Sequence, residues 1–134
     1  MIIVQADPEN RQLIFTINQK ITEADFLDIL ARLDIEIPKL KTGWVARVDL
    51  RGLIMVDPSL SQYIIEVQKK IFNGGSRKIG TLLDSFVLQA QISRGGKQVD
   101  SAYNARRFDD PSAWEKYLSE PSEPEIDISN KNDT

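Results

Sequence analysis

The sequence predicts an α/β fold, in which a single domain contains a mixed β-sheet with crossover helices. Short runs of β-branched and apolar residues alternate along the chain with longer stretches whose apolar residues recur at helical spacing. The first two apolar runs are separated by only four turn-forming residues, which predicts a hairpin near the N-terminus. The length of 134 residues, 41% of them hydrophobic, is enough for one core. Together, these observations indicate one layered domain.

The hairpin comprises two predicted strands, residues 2–6 and 13–17, connected by the turn formers at residues 7–10. Apolar residues alternate along the second strand, so one of its faces is fully apolar and the other is mixed. We therefore expect the apolar face of this strand to lie against the core.

The first helix is predicted from a capping signal and an apolar stripe. Thr22 is a suitable N-cap, and Asp25 three residues later makes the arrangement close to a capping box. The helix is expected to end before Pro38, because the residue that precedes a proline disfavours helical dihedral angles. Its apolar stripe comprises Phe26, Leu27, Leu30 and Leu33.

The middle of the chain, residues 44–72, predicts a buried strand followed by a helix. Residues 44–50 are rich in β-branched and apolar side chains, which favours a central strand over an exposed one. Asp57 is a good N-cap, and Pro58 lies at the first helical position, where its missing N–H and its fixed φ are tolerated. The apolar face of this helix has the spacing i, i+3, i+4, i+7 and i+11 and comprises Leu60, Tyr63, Ile64, Val67 and Ile71.

Two further pairs of strand and helix complete the prediction. Residues 77–83 form the fourth strand, and Asp84 or Ser85 caps the helix that follows. Residues 103–108 form the fifth strand, and the Asp-Pro pair at residues 110–111 begins the last helix. The apolar residues of these helices are Phe86, Leu88 and Ile92 in the first and Trp114, Tyr117 and Leu118 in the second. The predicted order is therefore β-β-α-β-α-β-α-β-α.

The composition excludes several classes of function. The sequence contains no cysteine, which excludes a disulfide framework, a zinc-thiolate site and a thiol nucleophile. It also contains no histidine, which removes the commonest metal ligand and the usual general base. We therefore expect a protein that is not an enzyme and that requires no cofactor and no metal.

The net charge of −3 is unevenly distributed along the chain. Residues 120–134 contain five acidic residues and one lysine, so this segment carries −4, which leaves +1 for residues 1–119. A nearly neutral body argues against a nucleic-acid partner, which would need a strongly basic face. The acidic segment is also almost free of large apolar residues. This predicts a domain at residues 1–119 and an acidic disordered tail at residues 120–134.

The N-terminal residues lack both a basic flank and a long hydrophobic stretch. Neither a signal peptide nor a membrane span is therefore expected. We expect a cytoplasmic protein with no stable membrane insertion, and the sequence leaves its oligomeric state open.

Residues 48–60, VDLRGLIMVDPSL, resemble the signature of STAS domains, the family of the anti-sigma factor antagonists. That signature has a strand ending in Asp-Leu, a short link, and Asp-Ser-Ser/Thr-Gly at the start of a helix. Asp49 matches the aspartate at the end of the strand, Asp57 matches the aspartate before the helix, and Ser59 matches the position that is phosphorylated in antagonist members. The departures are Pro58 and Leu60, where serine and glycine are usual.

Two other stretches resemble the SpoIIAA-like proteins, a branch of the same superfamily that is often grouped with Sec14-like lipid-binding folds. Residues 22–26, TEADF, match a common helix start, and residues 108–114, FDDPSAW, match a common final Phe-Asp-x-x-x-Ala-Trp helix. This resemblance implies an alternative function, that of a small hydrophobic-ligand or lipid-binding protein. The aromatic residues that could line its pocket, or else belong to the core, are Trp44, Phe72, Phe86, Phe108 and Trp114.

The STAS resemblance implies a regulatory protein-interaction module whose partner is an anti-sigma factor or a switch-kinase-like protein. The partner-binding surface would include Asp57, Ser59 and Ser61, and phosphorylation of Ser59 would weaken binding. Ser59 is expected to be the second residue of the second helix, where the free N–H groups and the helix dipole favour negative charge. Serine is also common at helix starts for local reasons alone, so an unmodified residue of the first turn is the alternative interpretation.

Three other groups of residues are candidate sites. Asp49 and Asp57 could bind Mg²⁺ or transfer a proton, but no further catalytic group lies at a recognisable spacing, so solvation of a strand end for Asp49 and helix capping for Asp57 explain them better. Residues 94–97, Arg-Gly-Gly-Lys, follow a helix and lack the residue order of a nucleotide P-loop, which favours a helix stop. Arg106 and Arg107 lie on opposite faces of a predicted strand, so at least one should be exposed or ion-paired.

Overall fold

The computed structural model of the chain describes residues 1–96 and 105–121. Within these residues, five strands and four α-helices form a mixed α/β fold, which confirms the predicted class. The strands are β1 (Ile2–Asp7), β2 (Gln12–Ile17), β3 (Trp44–Asp49), β4 (Ser76–Leu82) and β5 (Ala105–Phe108). The helices are α1 (Glu23–Glu36), α2 (Ser61–Asn73), α3 (Phe86–Gly96) and α4 (Pro111–Ser119), with short 3₁₀ turns at Ile37–Lys39 and Pro58–Leu60.

The five strands form one sheet in the order β1-β2-β3-β4-β5. β1 and β2 pair antiparallel as the predicted hairpin, and β2 to β5 pair parallel. The ends of β2, β3, β4 and β5 therefore lie together along one end of the sheet, which we call the carboxyl end. Loops that follow parallel strands at such an end are the usual location of binding residues in α/β folds.

Helices α1, α2 and α3 cover one face of the sheet and enclose the larger core. Leu13, Ile29, Leu33, Trp44 and Leu88 are almost completely shielded from water in this core. Each such side chain contributes about 1.5–3 kcal/mol to the free energy of folding. Trp44 also donates its indole N–H to the carbonyl of Gly74 at 3.0 Å, so β3 is tied to the end of α2.

Helix α4 covers part of the opposite face, mainly over β4 and β5. Its Trp114 donates Nε1–H to the carbonyl of Gly80 in β4 at 2.9 Å. A Cβ atom at Gly80 would lie only 2.8 Å from Leu118 Cδ2, so the glycine permits the close approach of the helix. The buried Lys78 donates to the carbonyls of Tyr117 and Glu120, at the C-terminus of α4. This pairing places a cation where the helix dipole favours one.

β1 is an outer strand of the sheet, and one of its backbone donors is occupied by a side chain. The N–H of Ala6 donates to Glu36 Oε1 at 2.9 Å, and Lys39 donates to the other oxygen of the same carboxylate at 2.8 Å. The hydrogen bond from Ala6 is the main reason that the pKa of Glu36 lies below its usual value. Glu36 thus keeps its charge beside the edge of the sheet.

Several capping predictions are confirmed. Thr22 and Asp25 form a full capping box at the start of α1. Asp110 caps α4 by accepting the N–H groups of Ser112 and Ala113. Ser85 Oγ accepts the N–H of Leu88 at 3.1 Å, so Ser85 takes the predicted capping role at α3.

Other local predictions were wrong. Leu27 is 54% exposed, and Ile29 takes its place on the buried face of α1. Ser59 is not the second residue of an α-helix, because the Asp-Pro pair begins a 3₁₀ turn and α2 begins only at Ser61. Phe86 is 90% exposed and does not join the core. Residues two apart on a helix point in nearly opposite directions, so Phe86 and the buried Leu88 cannot share a face.

Some predictions fall on residues outside the described ranges. These are the start of the fifth strand at residues 103–104, Lys97 of the Arg-Gly-Gly-Lys segment, and residues 122–134 of the predicted acidic tail. Within residues 1–96 and 105–121, no helix has both the length and the apolar character needed to cross a bilayer.

Candidate functional site

The three residues predicted to bind a partner lie together in the connection from β3 to α2, at the carboxyl end of the sheet. Asp57 is the N-cap of the 3₁₀ turn, Ser59 lies within the turn, and Ser61 is the first residue of α2. All three are exposed. The three residues predicted from the sequence therefore lie on one exposed stretch of the chain.

Asp57 and Ser59 form a tightly bonded turn. Oδ1 of Asp57 accepts both the backbone N–H and the side-chain hydroxyl of Ser59, each at 2.9 Å. These two bonds, with the backbone N–H contributing most, lower the pKa of Asp57, and the positive charge of Lys20 lowers it further. The carboxylate is therefore ionised at neutral pH and is occupied as a hydrogen-bond acceptor.

The connection that leads to this turn is fixed by buried residues. Leu53 and Val56 point into the core, whereas Ile54 and Met55 between them point outward. Both backbone groups of Val56 are bonded to the side chain of Gln91 in α3: Val56 N–H donates at 2.9 Å, and Val56 C=O accepts at 2.7 Å. A single buried amide thus holds this loop against a neighbouring helix.

The start of α3 presents two further exposed apolar side chains. Phe86 is 90% exposed and Val87 is 53% exposed, compared with 64% for Ile54 and 43% for Met55. Ser85, the residue before them, donates its hydroxyl to the carbonyl of Ile54, which brings the two loops together. We call Ile54, Met55, Phe86 and Val87 the apolar patch. Large apolar side chains grouped in this way on a surface mark sites of interaction.

The charged residues around the apolar patch have a small negative excess. Asp49 and Arg51 form a close ion pair of 2.8 Å, and hydrogen bonding to Arg51 is the main cause of the lowered pKa of Asp49. Asp84 is near enough to raise the pKa of Arg51, and Asp57 is near Lys20. Among the described residues that these interactions join, the acidic Asp49, Asp57 and Asp84 accompany the basic Arg51 and Lys20.

The two aspartates considered for Mg²⁺ already have partners. Asp49 binds Arg51, and Asp57 binds the Ser59 turn. In the part of the chain that the structure describes, no group of three or more acidic side chains could hold a metal ion. Asp57 thus has the predicted capping role, whereas Asp49 is ion-paired with Arg51 instead of being simply solvated at the strand end.

Comparison of the chain with known proteins does not assign the site. No protein-family model, curated protein or solved structure matches this chain. The resemblance to STAS domains therefore stays a prediction from residues 48–60.

A second candidate site is a cavity of about 350 Å³ between the sheet and helices α2 and α3. Its walls are mainly apolar, and the polar residues that line it include Gln68, Thr81 and Ser93. None of the five aromatic residues that were predicted to line a pocket lines this cavity. They are Trp44, Phe72, Phe86, Phe108 and Trp114. Trp44 lies in the main core, whereas Phe108 and Trp114 lie on the α4 side of the sheet.

The arginine pair of β5 has different surroundings on its two sides. The guanidinium of Arg106 lies over the ring of Tyr117, 5.4 Å from its centroid, on the α4 side. Both Arg106 and Arg107 are exposed, which agrees with the expectation that at least one of them is.

The apolar patch was not predicted from the sequence, although the sequence contains one signal for it. The pair Phe86 and Val87 follows a capping serine directly and is out of phase with Leu88 and Ile92. Two apolar residues off the buried face, in the first turn of a short helix, indicate exposure. The exposure of Ile54 and Met55 has no such signal in the sequence, because it depends on how the loop packs.

Proposed function

We propose that this chain is a non-enzymatic regulatory module of the STAS or SpoIIAA-like type, which binds a protein partner at the carboxyl end of its sheet. The observation that carries this proposal is the apolar patch, which lies beside the Asp57–Ser59 turn. The absence of cysteine and histidine from the sequence agrees with a role in binding rather than in catalysis.

The geometry of the patch suits the centre of a protein interface. Interfaces depend on a few large side chains, aromatic ones above all, that enter pockets on the partner. Phe86 is the most exposed of the large apolar residues in the described chain. The backbone beneath the patch is held by the bonds of Gln91 to Val56 and of Ser85 to Ile54. Binding therefore requires little ordering of the loops, which favours affinity.

The charges around the patch favour a protein partner over a membrane surface. Peripheral binding to cytoplasmic membranes depends on clusters of lysine and arginine, because these membranes are anionic. Here Asp49, Asp57 and Asp84 outnumber Arg51 and Lys20. The complementary partner presents an apolar segment with basic residues at its rim. The STAS resemblance implies that this partner is an anti-sigma factor or a switch-kinase-like protein.

Phosphorylation of Ser59 would regulate this surface. A phosphate on Oγ would remove the hydroxyl proton that is donated to Asp57, and it would place up to two negative charges beside that carboxylate. The turn would be destabilised by repulsion between the two anions, and the attraction of the surface for its partner would change. We propose that the modified form binds the partner more weakly.

Crosslinking in the cells that produce the protein tests the proposed surface. A photoreactive phenylalanine analogue is placed either at position 86, in the patch, or at position 27, an exposed apolar site on α1. We expect one protein to be captured from position 86 and not from position 27, and we identify it by mass spectrometry. Equal capture from both positions would indicate non-specific contact.

The captured protein is then purified and titrated calorimetrically against four forms of the full chain. We expect Phe86→Ala to weaken binding by a factor of about 30 or more, as is typical for an interface hot spot. Leu27→Ala should leave the affinity unchanged, and Ser59→Asp should reduce it. Unchanged affinity for Phe86→Ala would exclude the patch as the docking surface. Unchanged affinity for Ser59→Asp would exclude the regulatory role of Ser59 while leaving the patch intact.

A further inference from the structure

The cavity between the sheet and helices α2 and α3 is partly open to solvent and takes no part in the proposed docking surface. Val67, Ile79, Leu88 and Ile92 are among the apolar residues that line it. A volume of about 350 Å³ is at the lower end of the range for small-molecule sites. Cavities of less than half that volume are known to hold benzene. The space therefore suits a molecule of roughly ten to fifteen non-hydrogen atoms.

Gln68 gives this cavity a specific polar feature. Its Nε2 donates to the carbonyl of Ile92 at 3.1 Å, which fixes the orientation of the amide group. Its Oε1 is buried, and within residues 1–96 and 105–121 it has no hydrogen-bond partner. A buried acceptor without a partner is costly, so such groups are rare in folded proteins and need an explanation.

Gln91 in α3 shows what a purely structural glutamine does in this same protein. Its Oε1 accepts the N–H of Val56, and its Nε2 donates to the carbonyl of that residue. Both polar ends of Gln91 are therefore satisfied by the chain. In Gln68, only Nε2 has a partner in the described chain, and its side chain lines the mainly apolar cavity.

We propose that the cavity binds a small, neutral, mainly apolar molecule whose single hydroxyl or N–H group donates to Gln68 Oε1. The apolar walls account for the body of the molecule, and the unsatisfied acceptor accounts for its donor. The side chains of Gln68, Thr81 and Ser93 carry no charge, which favours a neutral ligand. Arg106 and Arg107 also line the cavity, but both residues are exposed, and the guanidinium of Arg106 lies over the ring of Tyr117.

Two probes of nearly equal shape test this assignment. The hydroxyl of 2-naphthol is a donor, whereas 2-methylnaphthalene has a methyl group at the same position. Both are titrated against the full chain by fluorescence. A purely apolar cavity would prefer 2-methylnaphthalene, which is less soluble in water. We expect 2-naphthol to bind about tenfold more tightly, because it satisfies the buried acceptor.

The variant Gln68→Met keeps the length of the side chain and removes the acceptor. We expect it to lose the preference for 2-naphthol and to bind 2-methylnaphthalene at least as tightly as the natural chain does. Gln89→Met, at an exposed position of α3, is the matched control and should keep the preference. A preference that survives in Gln68→Met would overturn the role of Gln68.

If Gln68→Met does not fold, the affinities of the natural chain for the two probes still test the proposal. Failure of both probes to bind at their solubility limits would show that the cavity holds water at most. Equal affinity for the two probes, or tighter binding of 2-methylnaphthalene, would equally overturn the proposal. Phe86→Ala should bind both probes as the natural chain does, so this inference and the proposed docking surface succeed or fail separately.

Discussion

The hydroxyl of Ser59 and the backbone N–H of Ser59 donate to the same carboxylate oxygen of Asp57, each at 2.9 Å. One aspartate therefore both caps the turn and fixes the side chain that the STAS resemblance identifies as a phosphorylation site. Added charge on Ser59 acts directly on the conformation of the turn. Ser61, only two residues later, is the first residue of α2 and lies in a different electrostatic environment.

A negative charge should therefore have opposite effects at these two serines. Ser59→Asp should lower the free energy of unfolding, because it removes a donated bond and introduces repulsion with Asp57. Ser61→Asp should raise it by about 0.3–1 kcal/mol, because the charge lies at the N-terminus of α2, which has no side-chain cap. Urea unfolding at low ionic strength measures both variants. A stabilising effect of Ser59→Asp would contradict the assigned geometry.

The pairing of Gln91 with Val56 predicts a large loss of stability on substitution. Gln91→Met should lower the free energy of unfolding by about 2–3 kcal/mol, because it leaves the N–H and C=O of Val56 buried without partners. Gln89→Met, on the exposed face of the same helix, is the control and should change stability by less than about 0.5 kcal/mol. Similar effects for the two variants, measured by urea unfolding, would show that the Val56 pairing contributes little.

The contact between Gly80 and Leu118 predicts a dependence of one substitution on the other. Gly80→Ala should cost about 1–3 kcal/mol, because the new Cβ would lie 2.8 Å from Leu118 Cδ2 and 3.1 Å from Tyr117 Cδ2. Much of that cost should disappear in a Leu118→Ala background, where the first clash is absent. A double-mutant cycle measured by urea unfolding gives the coupling energy. Additive effects would mean that α4 does not pack against Gly80 in solution.

The ion pair of Arg47 with Glu115 predicts how stability depends on pH. Two hydrogen bonds, of 2.9 and 2.7 Å, join the guanidinium to the carboxylate and lower the pKa of Glu115 below its usual 4.5. A carboxyl whose pKa is lower in the folded state stabilises the fold above about pH 4.5, and this contribution is lost as the pH falls through the lowered value. Both groups are partly exposed, so the contribution is below about 1 kcal/mol.

Glu115→Gln tests this dependence. The variant should be less stable than the natural chain at neutral pH, and the difference should narrow as the pH is lowered. Urea midpoints measured between about pH 3 and pH 7 give both curves. Glu9→Gln, at an exposed position of the hairpin loop, is the control. A difference that stays constant over this range would show that Glu115 acts through packing and not through its charge.

Local features of the fold could be predicted from the sequence because they depend on neighbouring residues. The capping box of Thr22 and Asp25 and the Asp-Pro start of α4 each involve side chains within three positions of the backbone groups they bind. The hairpin follows from a short turn between two alternating runs. The sequence also placed Asp57, Ser59 and Ser61 on one exposed connection.

Features that depend on distant residues could not be predicted. Gln91 and Val56 are 35 positions apart, and no pattern in the sequence pairs them. The unsatisfied oxygen of Gln68 becomes apparent only when the helices are in place. The pocket was expected among aromatic residues at element ends, whereas these fill the core or face the surface. Aromatic side chains form either a core or a pocket, and sequence spacing alone does not distinguish the two.

The bond from Ala6 N–H to Glu36 also bears on self-association of the chain. An outer strand with free backbone groups is a template onto which another molecule can add a strand, and repeated addition produces fibrils. Glu36 blocks one such position with a charged side chain. The hydrogen bond from Ala6 lowers the pKa of Glu36, so the carboxylate loses its charge, and the bond weakens, only at a pH below the usual pKa of a glutamate. The outer strand thus contains its own protection against polymerisation, and that protection has a lower limit in pH.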